Sequence, residues 1–168
     1  MSSKFKSQPV SQDEMLLYCL IGKAVWMIQH LEDALSHSIT LKKHVKKPYS
    51  FSLEQGNKIL DEYRSYTLGK AIKIVAQENI FPESLQQVLA DFLPKRNWLI
   101  HKCMHQTRKD FSSATSLHGL FDKIKGIAEE ADLILNLIEE DLIVFSELHE
   151  LDMSAARTIR AKYYELLI

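Results

Sequence analysis

The chain has 168 residues, 46% of them hydrophobic, and a formal net charge of −1 at pH 7. This size and composition suit one domain with a substantial core, and the balanced charge argues against tight RNA binding that ignores sequence. No apolar run approaches the about 20 residues that span a bilayer, and the polar residues 2–12 lack the apolar core of a signal peptide. We therefore expect one cytoplasmic domain over residues 1–168 that does not enter a membrane, with residues 1–12 flexible.

Apolar residues recur at helical spacing through nearly the whole chain, which predicts an all-α fold. The first helix is expected over about residues 13–41. Its predicted core-facing residues are Leu17, Leu20, Ala24, Met27, Ile28, Leu31, Leu35 and Ile39. Lysines follow at positions 42, 43, 46 and 47, and Pro48 prevents continuation of the helix. We expect these lysines to form a solvated helix end, with a phosphate-binding patch as the alternative.

A second helix is predicted over about residues 53–77, interrupted by Gly69. A glycine inside a helix costs about 1 kcal/mol against alanine, and the usual reason for it is the close approach of another helix. The third helix begins at Pro82, and Pro94 must kink it or split it just before Arg96. We expect a kink that turns Arg96 inward.

The second half of the chain predicts two further helices. One covers about residues 113–150, is long for a globular protein and has Gly126 as a point where it can bend. The last is short, and Ser154 is expected to cap its first turn. The predicted architecture is an up-and-down bundle of about five helices.

Arg96 occupies an unusual position, in the middle of the apolar face of the third helix. Five apolar residues project within about 40° of it at 100° per residue, namely Leu85, Leu89, Phe92, Ile100 and Cys103. A guanidinium keeps its proton and is rarely buried without a partner, so this position needs a carboxylate, a phosphate or a solvent cleft. His101 projects about 140° from Arg96, with Asn97 between them.

An arginine and a histidine in one cleft suit the cleavage of a phosphodiester. Imidazole transfers protons near neutral pH, and the guanidinium of Arg96 can hold the charge that develops on the phosphoryl oxygens. Asn97 is a candidate hydrogen-bonding partner of the phosphate or of His101, and Glu32 on the first helix is a candidate partner of Arg96 when no substrate is bound. The competing interpretation is structural, with Arg96 in a buried ion pair with Glu32 and His101 an ordinary surface histidine.

Residues after Arg96 supply further candidates. Trp98, His101 and His105 are predicted to share the helix face opposite the apolar stripe, where an exposed tryptophan stacks on a base or is buried against a second subunit. Trp98, His105 and Arg108 are therefore the candidate RNA or dimer contacts. Cys103 points about 160° away from His101, so His101 and His105 would have no third ligand. We expect no metal and no cofactor.

The motif Arg96-Asn97-x-x-x-His101, on the third of about five helices, resembles the HEPN superfamily. This superfamily comprises all-α ribonucleases and RNA-binding domains of toxin–antitoxin, abortive-infection and antiviral defence systems. The resemblance covers about residues 15–150, and Glu32 with Gln29, and residues 67–70, are similar to segments of some HEPN families. In the toxin branch that has a nucleotidyltransferase antitoxin, a tyrosine commonly stands where this chain has Cys103, so the chain departs from that branch.

The resemblance implies a HEPN-like bundle with Arg96 and His101 as the catalytic pair, Asn97 as the polar residue after the arginine and Glu32 as an accessory residue. It implies metal-independent cleavage of RNA that leaves a cyclic phosphate, a homodimer in which two motifs face one cleft, and an antitoxin or other regulatory protein as a partner. The alternative is a catalytically inactive HEPN-like module for dimerisation or RNA binding. An open, basic, two-fold cleft at His101 indicates the enzyme, whereas an Arg96 locked to Glu32 with His101 in bulk solvent indicates the module.

Overall fold

The computed structural model describes residues 10–45, 50–110 and 114–165, with the backbone alone for residues 107–110, 114–116 and 163–165. These residues contain helices and no strand, so the predicted all-α class is confirmed. Of the segment predicted to be flexible, residues 1–9 lie outside the described residues, and residue 12 begins the first helix. Within the described part, no helix has both the length and the apolar composition needed to cross a bilayer.

Seven α-helices and one π-helical segment make up the described part of the chain. They are α1 (Gln12–Ile39), the π-helical segment (Thr40–Val45), α2 (Leu53–Arg64), α3 (Leu68–Gln77), α4 (Glu83–His101), α5 (Cys103–Asp110), α6 (Ala114–Leu148) and α7 (Ser154–Glu165). The prediction of about five helices differs from this count because two of the predicted helices are each divided in two.

Helix α1 begins at a capping box and buries one apolar stripe. The Ser11 side chain accepts a hydrogen bond from the Glu14 N–H at 3.2 Å, and the Glu14 carboxylate accepts one from the Ser11 N–H at 2.9 Å. All but one of the predicted core positions of α1 are buried, and Leu20 is partly buried against the same core. The spacing of apolar residues therefore predicted the buried face of this helix correctly.

The lysines after α1 that the structure describes are engaged with carboxylates. Lys42 Nζ contacts Asp141 and also donates to the Ile80 carbonyl at 3.3 Å, and Lys43 Nζ donates to Glu78 at 2.7 Å. These contacts join the end of α1 to α6 and to the end of α3. They do not favour a phosphate-binding patch at Lys42 and Lys43, and positions 46 and 47 lie outside the described residues.

The predicted second helix is two helices, α2 and α3. The break falls at residues 65–67, where the Thr67 side chain accepts a hydrogen bond from the Lys70 N–H at 3.3 Å and so caps α3. Gly69 lies inside α3, and a Cβ atom built on it would be 3.7 Å from the Leu93 methyl groups, an ordinary van der Waals distance. Helix α4 does approach α3 at Gly69, as expected, but the approach leaves room for a methyl group and does not require glycine.

Helix α4 passes through Pro94 without splitting before Arg96. Proline has no N–H, so the Ala90 carbonyl loses its usual donor from within the helix. The helix ends at His101, and α5 starts after the single residue Lys102, whose φ of −121° is not helical. This break divides the predicted third helix into α4 and α5.

The longest helix in the described part of the chain is α6, which runs through Gly126 as one helix of 35 residues. Its most extensive contact is with α1, and it also packs on α4 and α5, while α3 packs on both α1 and α4. Apolar residues such as Leu31, Leu35, Leu89 and Ile134 meet in the core that these helices enclose.

Helix α7 begins at Ser154, but Ser154 is not the residue that caps it. The Asp152 carboxylate accepts a hydrogen bond from the Ser154 N–H at 2.9 Å, so the cap is supplied two residues earlier than predicted. Arg157 then ties α7 to the end of α6 through hydrogen bonds to Glu147 at 2.7 and 2.8 Å and to Glu140 at 3.2 Å.

Candidate functional site

Arg96 lies on the face of α4 that carries its buried apolar residues. Leu85, Leu89, Phe92 and Leu99 are buried at intervals that place Arg96 between Phe92 and Leu99 on the same face. The Arg96 side chain is 17% exposed. The structure therefore places a guanidinium on the core-facing side of α4, as the sequence predicts.

Glu32 of α1 is the partner of Arg96. Arg96 Nη2 donates to Glu32 Oε1 at 2.9 Å, and the Glu32 side chain is 28% exposed. Arg96 Nη1 also donates weakly to the Asn97 side-chain oxygen at 3.4 Å, and Arg96 Nε is buried without a hydrogen-bond acceptor among the described residues. The ion pair that the sequence suggested for the substrate-free state is thus present, and it joins α1 to α4 across 64 positions of sequence.

His101 is the last residue of α4 and is exposed. Among the described residues, no hydrogen bond or ion pair involves the His101 side chain. Five residues of helix separate it from Arg96 by about 7.5 Å along the axis and about 140° around it. One chain therefore holds Arg96 against Glu32 and leaves His101 in solvent, and it does not bring the two side chains together.

Two expectations about the end of α4 were wrong. Ile100 was expected in the core but is 42% exposed, because the buried face follows Leu99, on the other side of Arg96. His101 and His105 were expected on one helix, but the break at Lys102 separates them. Within the described residues, no group of three or more histidine, cysteine or acidic side chains is placed to hold a metal ion.

Trp98 is not exposed as predicted, because the chain itself covers it. The indole is partly buried against the core, its Nε1 donates to the Gln106 side chain, and Lys123 Nζ lies 3.5 Å from its ring centroid. The break at Lys102 starts the new helix that carries Gln106. His105 is exposed, and the Arg108 side chain lies outside the described residues.

Neighbouring charges fix the orientation of α4. Lys95 Nζ donates to both carboxylate oxygens of Glu130 on α6 at 2.7 Å, while Arg96 reaches Glu32 on α1. Two consecutive basic residues therefore connect α4 to the two longest helices of the fold. Among the described residues, Lys123 adds a third cation near the end of α4 through its position over Trp98.

The sequence did not reveal an apolar cavity between α1, α6 and α7. Its volume is about 730 Å³, and its lining includes Trp26 from α1, Glu139 from α6 and Ile159 from α7. Trp26 is more than 100 positions from the other two residues, so no local pattern links them. The one available sign was a large aromatic residue beside the apolar stripe of α1.

Comparisons of this chain with protein-family models, with curated proteins and with solved structures find no match.

Proposed function

We propose that two copies of this protein form a HEPN-like, metal-independent endoribonuclease of a toxin–antitoxin, abortive-infection or antiviral defence system. The observation that carries the proposal is how the fold holds the two principal side chains of the Arg96-Asn97-x-x-x-His101 motif. Arg96 is held by Glu32 on the core-facing side of α4, and His101 is exposed without a partner among the described residues. The single chain by itself matches the inactive module, so the proposal depends on a second copy that brings an imidazole to Arg96, where the two groups can transfer a proton and stabilise the charge on the phosphate.

Each residue has a defined role in the proposed reaction. His101 removes the proton of the RNA 2′-hydroxyl, whose oxygen then forms a bond to phosphorus as the bond to the 5′-oxygen breaks. Arg96 leaves Glu32 and stabilises the charge that develops on the phosphoryl oxygens. The 5′-oxygen takes a proton from water as it leaves, protonated His101 returns its proton to the hydroxide so formed, and the other product ends in a cyclic phosphate. Asn97 contributes a neutral hydrogen bond to the phosphate.

A second copy is part of the proposal because one chain does not assemble the pair. Arg96 and His101 project about 140° apart on α4, so a phosphate at Arg96 needs a histidine from another direction. The surface around His101 offers two apolar side chains for such contact, since Ile100 is 42% and Met104 is 77% exposed. We therefore place the His101 of one copy opposite the Arg96 of the other.

The second candidate is the catalytically inactive helical module, and the geometry of the single chain favours it directly. Arg96 is locked to Glu32, and His101 faces solvent. In this case the ion pair only joins α1 to α4, and RNA or a second copy binds without being cleaved. The two candidates differ in whether His101 is needed for any reaction.

Cleavage assays separate these candidates. End-labelled structured RNAs are incubated in excess EDTA with wild type, Arg96→Ala, His101→Ala and the matched control His118→Ala, which removes an exposed histidine on α6. The proposal predicts cleavage by wild type and the control and at least about a hundredfold loss in the two site variants. Absence of cleavage by wild type across total cellular RNA contradicts the proposal and favours the module.

Mixing the two site variants tests the second copy. When Arg96→Ala and His101→Ala chains are denatured and refolded together, a heterodimer contains one complete pair if the site is shared between copies. Activity then returns to the mixture although each variant alone is inactive. No recovery, with wild type active and heterodimers detected, shows that both residues of a site come from the same chain.

A further inference from the structure

A cavity of about 730 Å³ lies between α1, α6 and α7. Pockets for small organic ligands typically have volumes of about 300–1,000 Å³ and apolar walls with a few polar groups. The walls here are mainly apolar, with Leu135 and Ile143 from α6 and Ile159 from α7. Ile159 is 70% exposed, so an apolar ligand entering the cavity would cover surface that the chain leaves open.

The cavity lies away from the Arg96 site. Its residues on α1 are Trp26, Met27 and His30, while Glu32 faces Arg96. His30 and Glu32 project about 200° apart on α1, so the two sites are on opposite sides of this helix. The proposal of a ligand in this cavity therefore does not rest on the proposed ribonuclease activity.

Three polar side chains line the cavity, those of His30, Glu139 and Arg160, and the carboxylate of Glu139 is the acidic one. Burial raises the pKa of Glu139, and the nearby Arg160 opposes this rise. Arg160 is mainly engaged elsewhere, because its Nη1 contacts Glu140 and its Nη2 donates to the Asn136 carbonyl at 2.8 Å, whereas its Nε is 3.8 Å from Glu139. The cation nearest to Glu139 therefore does not form a close hydrogen bond with it.

The charge around the cavity favours a cation. Residues 111–168, which supply α6 and α7, contain 11 acidic and 5 basic side chains. The two arginines of α7 that the structure describes, Arg157 and Arg160, are shared among Glu139, Glu140 and Glu147. One more carboxylate than guanidinium is therefore present in this cluster. A ligand with a positive charge would balance it.

The indole of Trp26 lines the cavity on the α1 side. Its side chain is 61% exposed, and the His30 ring meets it edge to face with ring centroids 4.8 Å apart. Organic cations bind to the faces of tryptophan rings, and they bind more strongly when the site is desolvated. An aromatic face, a carboxylate and apolar walls together match an amine that carries an apolar body.

We propose that the cavity between α1, α6 and α7 binds an organic ammonium compound. The ammonium group lies between Glu139 and Trp26, and the apolar body lies along Leu135, Ile143 and Ile159. The ligand class is a small amine with an alkyl or aromatic body of the size that the cavity admits.

The test compares three probes that share one alkyl chain: octylammonium, octanol and octanoate. Binding is measured by calorimetry and by the fluorescence of Trp26 in a Trp98→Phe background, which leaves Trp26 as the single tryptophan. The variants are Glu139→Gln and the matched control Glu129→Gln, which removes an exposed carboxylate elsewhere on α6. Circular dichroism establishes that each variant is folded.

We expect octylammonium to bind about tenfold more tightly than octanol, and octanoate to bind most weakly. Glu139→Gln should remove the preference for octylammonium without changing the affinity for octanol, and Glu129→Gln should change neither. Equal binding of octylammonium and octanol, preference for octanoate, or no binding of any probe would overturn the proposal. So would an unchanged octylammonium affinity in Glu139→Gln.

Discussion

The ion pair between Glu32 and Arg96 gives a stability prediction that also bears on function. Breaking a fully buried pair by removing one partner costs about 3–5 kcal/mol, whereas exposed pairs contribute about 0–1 kcal/mol. The two side chains are 28% and 17% exposed, which places this pair between these limits. We therefore expect Glu32→Gln to lower the free energy of unfolding by about 1–3 kcal/mol.

Replacing Arg96 should lower the free energy of unfolding less than replacing Glu32 does. Arg96→Met places an unbranched apolar side chain between Phe92 and Leu99, and it removes the buried Nε that has no acceptor among the described residues. A buried donor without an acceptor destabilises the fold by about 1–3 kcal/mol. Removing the Nε of Arg96 therefore offsets the stability that is lost with the ion pair. Glu32, which loses its partner, is 28% exposed and can be hydrated, so we expect Arg96→Met to change the free energy of unfolding by less than about 1 kcal/mol.

Urea unfolding followed by circular dichroism on wild type, the two single variants and the double variant completes the thermodynamic cycle. A coupling energy of about 1–2 kcal/mol is expected between Glu32 and Arg96. A coupling below about 0.3 kcal/mol, or a loss of more than about 3 kcal/mol in Arg96→Met, would refute this reasoning. If Arg96→Met is as stable as expected, stability gives no reason for a guanidinium at this position, and a functional role gains support.

Three further predictions concern other parts of the fold. Gly69→Ala should raise the free energy of unfolding by about 0.5–1 kcal/mol, since the added methyl group meets Leu93 at an ordinary distance; a lower stability in urea would contradict this. Burial raises the pKa of Glu139, so its ionisation destabilises the fold above that pKa and has no effect below the ordinary value. Glu139→Gln should therefore raise the melting temperature at neutral pH, with the gain disappearing at acid pH; a gain independent of pH would exclude this cause. Hydrogen bonds from Arg157 lower the pKa of Glu147, so their stabilisation is present above the ordinary pKa and is lost as the pH falls through the lowered value. Amide protection factors in α7 should decrease at acid pH in wild type and should already be low at neutral pH in Arg157→Ala, and equal protection in the two proteins would contradict the assignment.

The parts of the fold that the sequence predicted well are those decided by periodicity within one helix. The apolar stripe of α1 and the single long helix α6 follow directly from residue spacing. The pairing of Arg96 with Glu32 was also predictable, because a guanidinium on an apolar face requires a partner and Glu32 borders the apolar stripe of another helix.

The parts that sequence did not predict depend on how helices end. Nothing in the helical spacing separates α2 from α3, where Thr67 accepts a backbone hydrogen bond and starts a new helix. The same applies to the break at Lys102, which separates His101 from His105 and supplies Gln106 to cover Trp98. A projection that assumed one continuous helix therefore placed Trp98 in solvent, whereas tertiary contacts bury it in part.

The chemistry of the RNA ends made by the wild-type protein in excess EDTA tests the central proposal most directly. We predict fragments that end in a cyclic phosphate, produced by wild type and not by His101→Ala, because the 2′-hydroxyl attacks phosphorus with His101 as the base. Fragments with ordinary phosphate ends, equal cleavage by His101→Ala, or intact RNA with both proteins would contradict the assignment of Arg96 and His101 as a catalytic pair.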